Sequence, residues 1–242
     1  MKIKIEDFLE STYLKTELES GVSNDEHRNI IEKVIKEAIK YKFILVMLRP
    51  QFITFAKKII YESNSEIFTG TVVDFPLGDS STVQKIKEAK KSISLGVNDL
   101  DFVADYNSFK AQIFDKFDND IIKCTEVGLK NYNNVKWIIE TGALSKLEIR
   151  KISTRINNLI EKEFRKDASK IYIKTSTGYY GGFGATIQDV KTIKSSINNL
   201  KIKASGGIST LDQTYKMINA GASRIGTSKA LDIIKQNHNN VI

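Results

Sequence analysis

The chain has 242 residues, 41% hydrophobic and 27% charged, which is enough apolar material for a sizeable core and an ordinary charge load. Its formal net charge of +8 favours anionic partners, but the basic residues alternate with acids, as in KVIKEAIKYK and QKIKEAKKS, the pattern of solvated helix faces rather than a nucleic-acid patch. One cysteine, Cys124, rules out a disulfide framework within the chain, and the longest apolar run, FILVML at Phe43 to Leu48, is too short to span a bilayer. MKIKIEDFLE has early acids and no apolar stretch, so no signal peptide is expected and the expected location is cytoplasmic. With two prolines and no Gly/Ser/Pro-rich linker, residues 1–242 are expected to form one domain.

In chain order, TYLK (Thr12 to Lys15) can supply a first strand. HRNIIEKVIKEAIKYK then places Ile30, Ile31, Val34, Ile35 and Ala38 at helical spacing. FILVML follows as a strand and FAKKIIYES as a helix. TGTVVDFP, Thr69 to Pro76, reads as a strand. Ser80-Ser81-Thr82 caps the next helix, VQKIKEAKKSISLG, which stops at Gly96. DLDFVAD, Asp99 to Asp105, is a strand with carboxylates at alternate positions, followed by helical patterns from around Phe109 to Tyr132. VKWIIE (Val135 to Glu140) is a strand and LSKLEIRKISTRINNLIEKEF a long helix. Then come the strand IYIKTS, the helix ATIQDVKTIKSSI, the strand LKIKAS, the helix TLDQTYKMINAG, the strand ASRIGTS and the helix KALDIIKQN.

Strands alternating with helices imply a parallel sheet, because a parallel return needs a crossover. Eight such units in about 250 residues predict an α/β fold, a (β/α)8 barrel. A doubly wound open sheet is the rival; against it, no G-x-G-x-x-G turn follows the first strand.

Two strands end in the same unusual way. IYIK carries Lys174 where an apolar run breaks into TSTG, and KIK carries Lys203 where the next breaks into ASGG. In a parallel barrel, functional side chains stand where strands end. The two strands are consecutive, so the lysines would be neighbours at about 4.8 Å strand spacing. Burial and mutual repulsion both lower a lysine pKa. A neutral lysine is a nucleophile that forms a Schiff base with a carbonyl. A lone lysine late in a strand more often snorkels to solvent; two in matching contexts favour one nucleophile with a cationic neighbour.

In DLDFVAD, Asp99, Asp101, Val103 and Asp105 share one face. If that face points inward, a carboxylate meets the lysines and can hold Lys203 charged or pass a proton through water. Two of the three acids are expected to be strand-end loop residues. SGG (Ser205 to Gly207) and IGTS (Ile225 to Ser228) each precede a helix, where glycines let backbone amides approach a phosphate.

KTSTG and KASGG, with ESTYLK, FPLGDSSTVQKIKEAK, LDFVAD, VKWIIETGAL and AGASRIGTS in order along nearly the whole chain, resemble the deoxyribose-phosphate aldolases. The resemblance implies a metal-independent class I aldolase on a (β/α)8 barrel, with no cofactor. It matches Lys174 to the Schiff-base lysine, Lys203 to the second active-site lysine and Asp101 to the aspartate that joins it in proton transfer. Thr12, Lys136 and Thr177 match substrate-binding positions, and Gly206, Gly207, Gly226 and Ser228 the phosphate site. The implied reaction is reversible cleavage of 2-deoxy-D-ribose 5-phosphate to acetaldehyde and D-glyceraldehyde 3-phosphate. No zinc site is expected, since the only histidines, His27 and His238, lie near opposite ends in polar helical contexts. The partner is a small phosphorylated sugar, with a homodimer left open and neither a specific nucleic acid nor a membrane expected.

Several positions depart from the family pattern. Glu10 stands where aspartate is usual, Met47 where some members carry cysteine, and Ser209 replaces a frequent arginine after KASGG. The loop YYGGFGAT is one residue longer than usual and carries three aromatics, and the chain ends in NNVI without a C-terminal tyrosine. These changes keep two rivals in view: a Schiff-base aldolase for a different aldehyde, and a non-catalytic basic protein binding phosphate or nucleic acid.

Overall fold

The computed structural model describes residues 3–239. Eight strands appear in chain order: β1 (Leu9–Tyr13), β2 (Leu45–Leu48), β3 (Phe68–Val73), β4 (Asp99–Val103), β5 (Asn134–Ile138), β6 (Ile171–Lys174), β7 (Lys201–Ser205) and β8 (Arg224–Thr227). Each pairs in parallel with the next, and β8 returns to β1 through Leu9↔Ile225 and Glu10↔Gly226, so the sheet closes. That closure rules out the doubly wound alternative. The helices following the strands are α1 (Asn24–Lys40), α2 (Ile53–Glu62), α3 (Thr82–Ser94), α4 (Phe114–Lys130), α5 (Lys146–Glu163), α6 (Ile187–Lys194), α7 (Leu211–Ala220) and α8 (Ala230–Asn239).

Local chemistry sets the helix starts. Ser23, Ser145 and Thr210 form reciprocal capping boxes with Glu26, Glu148 and Gln213, each satisfying amides that the helix cannot. Ser81 caps α3 through the amide of Gln84, as its sequence predicts. Each helix buries one stripe against the barrel; on α1 it is His27, Ile31, Ile35 and Ala38. His27 therefore does not sit in a polar setting. It is buried, with rings of Tyr13 and Phe52 centred 5.6 Å and 5.5 Å away and Nε2 3.1 Å from the carbonyl of Lys15. The NNVI terminus lies outside the described residues apart from the backbone of Asn239, and so does the side chain of His238.

The main core lies between barrel and helices. Trp137 on β5 stacks on Phe102 of β4 at 5.1 Å and donates from Nε1 to Thr125 Oγ1 on α4 at 3.0 Å. Cys124, also on α4, is buried, and burial pushes its thiol up to about 12, so it has packing character and little nucleophilic character. Among the described residues, no helix is long and apolar enough to cross a membrane.

Several element ends differ from expectation: β2 starts at Leu45, β3 stops at Val73 and β4 at Val103, and two further ends have a clear physical reason. The first strand starts at Leu9 rather than Thr12, which brings Glu10 onto it; it stops at Tyr13 because Thr16 caps a short helix, Glu17–Ser20. β5 stops at Ile138 rather than Glu140, because Glu140 adopts φ 57 and cannot continue a strand.

Candidate active site

The barrel interior is divided by chemistry. On one side Leu45 and Met47 of β2 and Val72 of β3 form an apolar cluster with Leu14. Met47, a departure from the family pattern, is thus fully buried packing. On the other side β1 and β4 to β7 point Glu10, Asp99, Asp101, Lys136, Tyr172, Lys174 and Lys203 inward, all with at most 1% exposure. The parallel register sets the neighbours: Asp101 lies beside Lys136, and Lys174 beside Lys203. Gly226 leaves room for this cluster, since a Cβ there would lie 2.9 Å from Lys203 Cε.

The ion pairs distribute unequally. Lys136 Nζ donates to Asp99 at 2.6 Å and to Asp101 Oδ1 at 3.0 Å, with Glu10 Oε1 3.5 Å away. Lys203 Nζ donates to Asp101 Oδ2 at 2.7 Å and to Glu10 Oε2. Among the described residues, Lys174 Nζ has one carboxylate partner, Asp101 Oδ2, at 2.9 Å. One oxygen of Asp101 therefore serves both strand-end lysines.

Lys174, with fewer carboxylate partners than Lys136, yields its proton more easily than Lys136 does. Burial lowers the pKa of Lys174 to about 8; Asp101 opposes that shift and the Lys203 ammonium adds to it. Burial acts on Lys136 too, but Asp101, Asp99 and Glu10 outweigh it and hold Lys136 above the usual lysine range. Asp101 is pushed up by burial, yet Lys136, Lys174 and Lys203 together hold it well below the usual carboxylate range. Glu10 is likewise pushed up by burial but held low by Lys136 and Lys203.

Above this cluster, at the strands' C-terminal ends, lies a cavity of about 940 Å³. Thr12, Thr177, Ser205, Gly206, Gly207, Gly226, Ser228 and Ser209 line it. Lys174, Lys203, Asp101 and Lys136 are not on its wall; they lie buried beneath it. Gly206 and Gly207, with φ 92 and 73, turn the chain between β7 and α7 in a conformation that glycine adopts without strain. Ser209 bonds through its amide and hydroxyl to Gln213 and supplies no cation. The aromatic loop after β6 folds over the mouth: Tyr179 meets Phe75 edge-on at 5.0 Å, and Tyr180 meets Tyr106 at 6.4 Å.

The sequence-derived positions thus fall into layers. Thr12 and Thr177 stand on the cavity wall with Gly206, Gly207, Gly226 and Ser228, the four residues expected at a phosphate, while Lys136 is a buried ion beneath it, without direct access to a ligand there. Asp105 does not join them; it caps a short helix, Tyr106–Lys110, and pairs with Lys116 at 2.5 Å. Asp99 is not the strand-end loop residue expected. It lies within β4 and anchors Lys136, a role that its alternation with Asp101 signals. Glu10 is not on the cavity wall; it pairs with Lys203 within the buried cluster. Glu140, which sequence reasoning passed over, is a buried carboxylate bonded to Thr177; its place as the last residue of the expected strand VKWIIE was the available signal.

A (β/α)8 barrel with a lysine of lowered pKa at a strand end, bonded to a carboxylate under a glycine-lined cavity, defines an enzyme of the lysine-amine type. No family model matches the chain. Among curated proteins it is 38% identical over 239 residues to the deoxyribose-phosphate aldolase of Natranaerobius thermophilus, covering 97% of this chain and 98% of that one. It is also 38% identical over 205 residues to the enzyme of that name from Dictyoglomus turgidum, covering 84% and 87%. Among solved structures it resembles QR15, an aldolase, with a TM-score of 0.82, 28% identity and coverage of 99% and 98%. It shares its fold with the deoxyribose phosphate aldolase of Aeropyrum pernix, described as a unique tetramer, with a TM-score of 0.77, 22% identity and coverage of 98% and 92%. The chain belongs to the deoxyribose-phosphate aldolase family.

Proposed function

We propose that this protein reversibly cleaves 2-deoxy-D-ribose 5-phosphate to acetaldehyde and D-glyceraldehyde 3-phosphate through a Schiff base on Lys174. The observation that carries the reading is the shared Asp101 oxygen between Lys174 and Lys203, with the Lys174 pKa lowered to about 8. At pH 7 that leaves roughly one Lys174 in ten neutral, far more than for a free lysine. Loss of its single ion-pair bond frees the amine to turn toward the cavity.

The amine adds to the C1 aldehyde, and loss of water forms the iminium. Removal of the C3 hydroxyl proton then breaks the C2–C3 bond and releases D-glyceraldehyde 3-phosphate. The electron pair moves into an enamine, with the iminium as the sink. Protonation at C2 and hydrolysis release acetaldehyde and restore Lys174. Asp101 and Lys203, bonded at 2.7 Å, are the pair assigned to proton transfer through water. Lys136 fixes Asp101 from below, and Thr12 and Thr177 face the sugar. Amides of Gly206, Gly207, Gly226 and Ser228, ahead of α7 and α8, are assigned to the phosphate. A cytoplasmic location and a homodimer remain proposals drawn from the sequence.

Borohydride reduction after incubation with 2-deoxyribose 5-phosphate should leave an adduct mapping to Lys174 by mass spectrometry. No adduct, with a known class I aldolase labelled in parallel, would end this reading. In the same preparation kcat/KM should climb with pH to about 8 and level off above it, as Lys174 loses its proton.

Ser209 motivates one alternative, an aldolase for an unphosphorylated aldehyde. Gly184 offers a test. A Cβ there would lie 2.3 Å from the Gly206 carbonyl oxygen, and backbone cannot move aside as a side chain can. Gly184→Ala is expected to raise KM for the sugar phosphate about tenfold, equivalent to about 1.4 kcal/mol, and to raise that for 2-deoxyribose much less. Equal effects on both would detach the Gly206 loop from phosphate binding and favour the alternative.

A further inference from the structure

Glu140 has no part in the mechanism above, yet its setting is costly. It follows β5 at φ 57 and ψ 69, the left-handed region, which strains any residue with a Cβ. Its side chain is buried at 1% exposure. Oε2 accepts from the Thr177 amide at 3.1 Å and from Thr177 Oγ1, while Oε1 is buried and, among the described residues, has no hydrogen-bond partner.

Holding the two loops together does not require this carboxylate. Thr141 already ties them, donating from its amide to the Thr175 carbonyl at 2.8 Å and lying 3.2 Å from Ser176 Oγ through its hydroxyl. Glu140 adds control over where the Thr177 proton points. A hydroxyl has one proton and two lone pairs. The Thr177 amide can only donate, so Oε2 must accept, and the same oxygen takes the hydroxyl proton. One lone pair of Thr177 Oγ1 receives the Tyr179 amide at 3.0 Å. What remains is one lone pair and no proton, on a side chain that lines the cavity three residues beyond Lys174. This polarity belongs to the ionised carboxylate, which has no proton to give.

We infer that Glu140 is a positioning residue that fixes Thr177 as a hydrogen-bond acceptor, so that the site selects substrates presenting a hydroxyl proton beside the Lys174 iminium. The inference rests on the aldolase reading above. Acetaldehyde alone has no hydroxyl and cannot use this acceptor, so it separates Schiff-base chemistry from hydroxyl recognition.

The quantity to measure is a ratio: kcat/KM for 2-deoxyribose 5-phosphate cleavage over the rate at which acetaldehyde methyl protons exchange with heavy water. Glu140→Met keeps the length of the side chain and removes the acceptor. It should lower the ratio about 10- to 100-fold, the scale of a misoriented substrate contact. Glu140→Gln should recover most of that loss, because its amide oxygen can accept both Thr177 bonds. An unmoved ratio in Glu140→Met overturns the inference, since general damage to the site lowers both rates together. Thr177→Val must lower the ratio similarly, and it decides the matter if Glu140→Met does not fold. Wild-type protein that exchanges no acetaldehyde protons removes the aldolase reading and this inference with it; wild-type exchange with an unmoved ratio removes this inference alone.

Discussion

Lys174→Leu should lose about 10⁴-fold or more in kcat, together with all borohydride-trapped adduct, because no other side chain can supply the iminium nitrogen from that place. Lys203 is the nearest substitute, but it is held by two carboxylates, Asp101 at 2.7 Å and Glu10. The variant should also fold well. Removing Lys174 leaves Asp101 with Lys136 and Lys203, so no buried carboxylate is stranded. It removes an ammonium whose burial is unfavourable, as its lowered pKa of about 8 records. The sign follows from linkage. Between the folded value of about 8 and the ordinary value of 10.5, the unfolded chain binds more protons than the folded one, so wild-type stability rises with pH across that window. Below it, the wild type carries the full cost of the shift, on the order of 1.4 kcal/mol per pKa unit. Lys174→Leu should therefore be more stable than the wild type at pH 7, with the gain shrinking above pH 8. Urea titrations at both pH values test this. An inactive but less stable variant would mean that Lys174 contributes mainly packing; retained turnover would exclude the mechanism.

Much of this arrangement was legible before folding, for local reasons. Lys174 and Lys203 stood out because an apolar run, a lysine and then small residues is a local anomaly, and strand alternation put Asp101 on a face with Asp99. The capping boxes and the strand–helix rhythm are likewise local. What escaped depends on closure of the ring. Glu10 meets Lys203 across 193 positions of sequence, and only because β8 returns to β1. Periodicity also cannot say that Lys136 takes two aspartates while Lys174 keeps one, a difference set by strand register and depth. Glu140 escaped because its left-handed backbone conformation breaks a run that reads as continuous strand. His27 escaped because a polar residue among charges reads as exposed until Tyr13 and Phe52 close around it.

Asp101→Asn separates the two tasks that the shared oxygen performs. Asp101 favours the charged form of Lys174, so its loss should carry the Lys174 pKa below about 8 and make more of the amine neutral at pH 7. If a neutral amine were the only requirement, the variant would be faster. It should instead lose about 10²- to 10⁴-fold in kcat/KM, the worth of a positioned proton-transfer group. The acid limb of its residual activity should move to lower pH. Lys203→Met makes the complementary case. There a cation that lowers the Lys174 pKa is gone, so the limb should move above about 8 while turnover falls as well. Two slow variants with opposite limb shifts would assign the limb to Lys174 and the proton transfer to the Asp101–Lys203 pair; shifts in one direction would place the titrating group elsewhere. Asp101→Asn should also lose about 3–5 kcal/mol of stability, because it withdraws a charge from buried lysines that remain. Lys203 would keep Glu10, and Lys136 would keep Asp99 at 2.6 Å, whereas Lys174 would keep no carboxylate within bonding distance. Lys174 is then the group that answers the loss by giving up its proton, the same response that makes it a nucleophile in the native protein.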